Sequence, residues 1–66
     1  MRVELNGESK ELAEGTTLLS LVEQLSLAPE RVAVELNRDV VRRPDWHATH
    51  LNDGDRVEIV HFVGGG

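Results

Sequence analysis

The sequence predicts an α+β domain in which one main helix covers one face of a mixed sheet. Three observations carry this: apolar residues alternate at both ends of the chain, a single leucine-rich stripe at helical spacing lies between them, and Asn/Asp/Gly turns separate the alternating runs.

The first run places Val3 and Leu5 on one face and Arg2 and Glu4 on the other, the pattern of a half-buried strand. Asn6-Gly7 follows as a hairpin turn, because both residue types tolerate positive φ. A second strand is expected near residues 9–13, and a loop of even length keeps Leu12 on the face of Val3 and Leu5. Gly15-Thr16-Thr17 ends the hairpin and offers a hydroxyl cap to a helix. Leu18, Leu21, Val22 and Leu25 then fall at i, i+3, i+4 and i+7, with Ser20, Glu23 and Gln24 on the wet side. Pro29 disfavours helical backbone at Ala28, which predicts a helix of about ten residues that is stable only when packed on the sheet.

Alternation resumes at Val32, Val34 and Leu36. Asn37-Arg38-Asp39 reads as a turn and Val40-Val41 as a short strand. Pro44-Asp45-Trp46 opens an irregular or single-turn segment carrying His47 and His50. Leu51 is the expected core anchor before the turn Asn52-Asp53-Gly54-Asp55. The last strand is expected over about 56–62, with Val57 and Ile59 facing the helix and Glu58, Val60 and Phe62 facing away. The order is ββαβββ, that of the β-grasp or ubiquitin-like fold: a five-stranded mixed sheet on one helix. Residues 1–63 form its single domain and 64–66 a flexible glycine tail.

Composition narrows the function. A chain of 66 residues supports one core. It contains no cysteine, which removes disulfides, thiolate metal sites and persulfide chemistry on the chain itself and suits a reducing compartment. Twelve acids against seven bases give a net charge of −5, the wrong sign for general nucleic-acid binding. Arg38, Arg42 and Arg43 cluster locally, either as a solvated turn region or as a patch that touches a partner. The N-terminus lacks the apolar stretch of a signal peptide, and no apolar run spans a bilayer, so a soluble cytoplasmic protein is expected.

Side-chain chemistry is sparse. His47 and His50 have H-x-x-H spacing, but no third metal ligand stands near them in the sequence, and they read as surface histidines, as does His61. Glu4, Glu8, Glu11 and Glu14 read as a solvated edge. Asp53-Gly54-Asp55 is turn chemistry, too short for a calcium loop. No nucleophile motif or phosphate-binding glycine loop is present, so no catalytic residue and no metal site are expected.

The end is different. Gly64, Gly65 and Gly66 follow Val63, the last residue that could join the strand. Three extended glycines reach roughly 10 Å and, lacking Cβ atoms, pass a narrow channel. A terminal carboxylate, with a reference pKa of about 3.3–3.7, is ionised at neutral pH and needs activation before a nucleophile can take it. The pattern alone fits a frayed terminus or a substrate handle.

In this order, Asn6-Gly7, Gly15-Thr16-Thr17 before the leucine helix, Ala33-Val34, Asn37, Val41, Arg43, Trp46, Asp53-Gly54-Asp55, Val57-Glu58-Ile59 and Phe62-Val63 before the glycine end resemble the ThiS-like sulfur carriers of thiamine (thiazole) biosynthesis. The resemblance implies a protein cosubstrate with no catalytic site of its own. Gly66 is then the site of adenylation and of thiocarboxylate formation, with Gly64 and Gly65 as its reach; Gly64 is one glycine more than the family motif requires. No cofactor is bound; ATP and magnesium are used by a ubiquitin-activating-like adenylyltransferase. Sulfur arrives from a cysteine desulfurase relay, and thiazole synthase receives it. Strand parity leaves Val60 and Phe62 exposed beside the tail as the expected docking surface for these partners, with Phe62 folded over a sheet edge as the alternative. The small subunit of molybdopterin synthase, other sulfur carriers of this fold, a ubiquitin-like modifier and a plain interaction module remain the alternatives.

Overall fold

The structure is a computed structural model that describes residues 1–62. The expected glycine tail, with Val63, lies outside the described residues.

β1 (Arg2–Leu5) and β2 (Glu8–Glu11) form an antiparallel hairpin in the register Leu5↔Glu8 to Arg2↔Glu11. Its turn residues have φ of 49° at Asn6 and 84° at Gly7. Positive φ at both positions is the type I′ pattern, whose twist matches that of the flanking strands. β2 begins and ends earlier than the alternation predicts. The two-residue loop still preserves parity: Leu12 donates its N–H to the Met1 carbonyl at 2.8 Å and is buried on the face of Val3. The Met1 amine closes the same end, donating to the Leu12 carbonyl (2.8 Å) and to Glu11 Oε2 (3.1 Å). Its pKa is raised, chiefly by the bonded Glu11 carboxylate; desolvation opposes the shift and Glu14 adds to it.

α1 (Leu18–Gln24) is capped by Thr17, whose hydroxyl accepts from the Ser20 N–H at 3.1 Å. Leu18, Leu21 and Val22 are fully buried. The helix has seven residues rather than the expected ten, and Pro29 does not end it. Ser26 does, by adopting φ of 59°. In that conformation the Ser26 N–H reaches the Glu23 carbonyl (3.0 Å) and the Leu27 N–H the Val22 carbonyl (3.2 Å). This is the Schellman arrangement, which satisfies carbonyls a helix end otherwise leaves orphaned. Pro29 instead opens a separate 3-10 turn, Pro29–Arg31, where its missing N–H and fixed φ cost nothing.

β3 (Val32–Leu36) and β4 (Asp39–Val41) form a second two-residue hairpin, with φ of 51° at Asn37 and 74° at Arg38. A second 3-10 segment, Arg43–Ala48, packs on α1, and β5 (Arg56–His61) follows. The five strands lie in the order β2-β1-β5-β3-β4, with β5 parallel to β1 and antiparallel to β3. The last strand in sequence is therefore the central one.

The core lies between the sheet and α1. Val3, Val32, Val34 and Val57 line it from the strands, and Leu51 anchors the loop before β5 as expected. Trp46, which the sequence left among surface histidines, is 1% exposed, and its indole Nε1 donates to the Val41 carbonyl at 2.8 Å. An aromatic between proline and histidine in an irregular segment has no periodicity to betray its burial. Only the 3-10 segment folding back over α1 places it inside. Among the described residues no helix is long and apolar enough to cross a membrane.

Candidate functional site

β5 is held differently along its length, and this decides what it presents near the glycines. Its first half is paired on both sides, through Glu4↔Arg56 and Leu5↔Val57 to β1 and through β3 on the other flank. β1 then turns away at Asn6. The Asn6 side chain substitutes for one further rung: its Oδ1 accepts from the Ile59 N–H (2.8 Å) and its Nδ2 donates to the Ile59 carbonyl (3.3 Å). Asn37 acts similarly at the start of the strand, where its Oδ1 accepts from the Arg56 N–H (2.9 Å). Each such bond contributes about 1 kcal/mol. The sequence read both asparagines only as turn formers. Their second task is invisible without the strand that lies between them.

Beyond Ile59 the strand is held by β3 alone, through Ala33↔Val60, Val32↔His61 and the Phe62 N–H to the Arg31 carbonyl (2.8 Å). The predicted parity follows. Val57 is buried and Ile59 packs against the core, whereas Val60 is 56% and Phe62 59% exposed. Val40 on β4, 70% exposed, joins them on the outer face. It was not singled out from sequence, although a Val-Val pair on a strand must turn one member outward. The β1 side of the outer face is charged instead, with Arg56 Nε 3.4 Å from Glu4 Oε2 and an Arg2 guanidinium 3.1 Å from Glu11 Oε1. Among the described residues the exposed large apolar side chains thus lie on the β3–β4 side and at the end of β5.

His47 and His50 are both exposed, and among the described residues no group of three or more His, Asp or Glu side chains is placed to hold a metal ion. His61 is also exposed. Gly64, Gly65 and Gly66 lie outside the described residues. The sequence-predicted candidates that the structure describes are Val60 on β5 and Phe62 just beyond its end, with Val63 between Phe62 and the glycines in the sequence.

The ThiS family model matches residues 3–66, nearly the whole chain and the glycine end with it. The chain belongs to the ThiS family. A solved ThiS-family structure, that of the thiamine biosynthesis protein (ThiS) from Geobacter metallireducens, is 39% identical, covers both chains completely and superposes with a TM-score of 0.86. This agreement supports the β-grasp assignment. The sulfur carrier protein ThiS of Bacillus subtilis is 37% identical over 97% of this chain and 98% of its own length. A thiazole synthase of Magnetococcus marinus is 48% identical over the whole of this chain, which spans only 20% of that protein's length. A ThiS-like unit therefore occurs within a larger protein carrying the name of thiazole synthase.

Proposed function

We propose that this chain is a sulfur carrier of thiamine biosynthesis whose reacting group is the carboxylate of Gly66. The observation that carries the reading is the ThiS-family match running through Gly66, on a fold whose central strand leads into the glycines. The carboxylate attacks the α-phosphorus of magnesium-bound ATP on an adenylating enzyme, and pyrophosphate leaves. The terminal sulfur of a persulfide, loaded by a cysteine desulfurase, then attacks the acyl carbon and displaces AMP. A thiol cleaves the resulting acyl disulfide and leaves a thiocarboxylate on Gly66. Thiazole synthase takes that sulfur; the Magnetococcus marinus relative, in which a ThiS-like unit is part of a thiazole synthase, supports that pairing. The chain contributes reach and recognition, and catalysis belongs to its partners.

Incubation with the adenylating enzyme, magnesium-ATP, cysteine and a desulfurase should yield an intact mass in which one oxygen is replaced by sulfur. Conjugation to other proteins in place of that exchange would refute the carrier reading and indicate a modifier.

Val60 and Phe62 serve as docking residues in this scheme. An aromatic that anchors an interface is worth about 2 kcal/mol or more on truncation, roughly 30-fold in affinity. Phe62→Ala should therefore weaken binding to the adenylating enzyme by about that factor. The same change should move Tm by only a few degrees, because the ring is already 59% exposed. A large fall in Tm with unchanged binding would assign Phe62 to the core instead.

A further inference from the structure

An open groove of about 500 Å³ lies at the β4 edge of the sheet, on the side where Phe62 leaves it. The start of β3 at Val32 and Ala33 lines it together with Pro29 and Glu30, Arg42 to Pro44, and the exposed side chains of Val40 and Phe62. The groove exists because β4 is short. Hydrogen-bonded rungs alternate in an antiparallel pair, and the bonds from Phe62 to Arg31 and from Asn37 to Arg56 show that odd-numbered residues of β3 bond toward β5. The even-numbered ones face β4. Val34 and Leu36 meet Val41 and Asp39 there, but Val32 has no β4 counterpart, because β4 ends at Val41. The Val32 N–H and C=O therefore have no β4 partner, although the residue as a whole is only 5% exposed.

Its electrostatics are equally specific. The chain carries a net charge of −5, yet among the described residues the groove is lined by Arg42 and Arg43 with Glu30 as the one acid. The ion pairs among the described residues involve Met1, Arg2 and Arg56. Neither Arg42 nor Arg43 has a carboxylate within 4.0 Å among those residues. The groove therefore combines an unpaired strand edge, apolar walls and two guanidinium groups free to meet carboxylates.

We propose that this groove seats an extended, acidic segment of the enzyme that acts on the glycine end. The segment lies along the β4 edge, packs an apolar side chain against the exposed Val40 and Phe62, and sets its carboxylates against Arg42 and Arg43. The inference rests on the carrier reading above. Its link to the tail is covalent: Gly66 is four residues beyond Phe62, at most roughly 14 Å of extended chain. An enzyme gripping the groove thus holds the root of the segment whose end it modifies. Seating of a second copy of this chain is the competing occupant.

The test is ATP–pyrophosphate exchange by the adenylating enzyme of the same organism, measured as a function of carrier concentration. An inactive wild-type carrier would refute the carrier reading itself. With an active wild type, Arg42→Glu/Arg43→Glu should raise KM about tenfold or more while kcat changes less than twofold. The wild-type KM should also rise with salt, and the double variant should lose most of that dependence. Arg42→Gln/Arg43→Gln gives the same reading if charge reversal impairs folding, and Val40→Glu, at a position already 70% exposed, should raise KM by repelling the acidic segment. Unchanged KM and salt dependence in the Gln pair and in Val40→Glu would overturn the proposal. So would a concentration-dependent dimer of the carrier that these substitutions abolish, which would assign the groove to a second copy.

Discussion

A carrier extended by one alanine after Gly66 should form no detectable thiocarboxylate while keeping the melting behaviour of the parent chain. The extra residue moves the carboxylate by roughly 3.3–3.6 Å and introduces a Cβ where glycine alone stood. Reaction at an enclosed site depends on placing the acyl carbon within near-attack distance of the nucleophile, and an error of about 1 Å already costs about 100-fold. A displacement several times larger should remove activity altogether. Stability should be untouched, since the buried core draws on residues from Val3 to Val57 and the addition lies beyond them. Intact-mass spectrometry after the loading reaction reads the first effect and thermal melting the second. Sulfur incorporation at the parent rate would refute Gly66 as the reacting residue.

Replacement of Trp46 by alanine should largely unfold the protein. The indole is the largest fully buried side chain, and truncating such a group costs about 3–5 kcal/mol in lost transfer energy and residual cavity. A domain of this size has a total stability of roughly 3–10 kcal/mol, so one substitution removes much or all of it. The loss is aggravated locally. The indole N–H bonds to the Val41 carbonyl, at the point where β4 gives way to the second 3-10 segment, so its removal loosens both from the core. Urea denaturation followed by circular dichroism should show the midpoint falling to low denaturant or the transition disappearing. Trp46→Phe, which keeps most of the apolar area and loses the bond, should be milder. A cost below about 1 kcal/mol for the alanine variant would contradict the burial described above.

These two residues mark the two ways the sequence could be read. The glycine run is conspicuous as three of one residue type in a row, and the chemistry proposed for it comes from the ThiS resemblance. Parity on β5 was equally legible: a period of two leaves Val57 with the core and sends Val60 and Phe62 outward whatever the partner strands are. Trp46 was not legible, for its segment has neither helical nor strand period. The helix ends earlier than the sequence predicts for a related reason. Pro29 is a conspicuous stop signal, whereas Ser26 entering the left-handed region carries no strong one, although its bonds to the preceding turn end α1 first.

By itself the sequence determined the order of elements, the face each strand buries and the absence of cysteine chemistry. All of these are local or compositional: period, turn residues and residue inventory are properties of the chain before it folds. Tertiary structure alone decided that β5 is the central strand, that Asn6 and Asn37 clamp it by side-chain hydrogen bonds, that Trp46 is interior, and that β4 stops short of Val32 and leaves a groove lined by Arg42 and Arg43. Each depends on contacts between segments far apart in the chain. Strand pairing and loop packing bring those segments together through hydrogen bonds and burial that no single stretch of residues encodes.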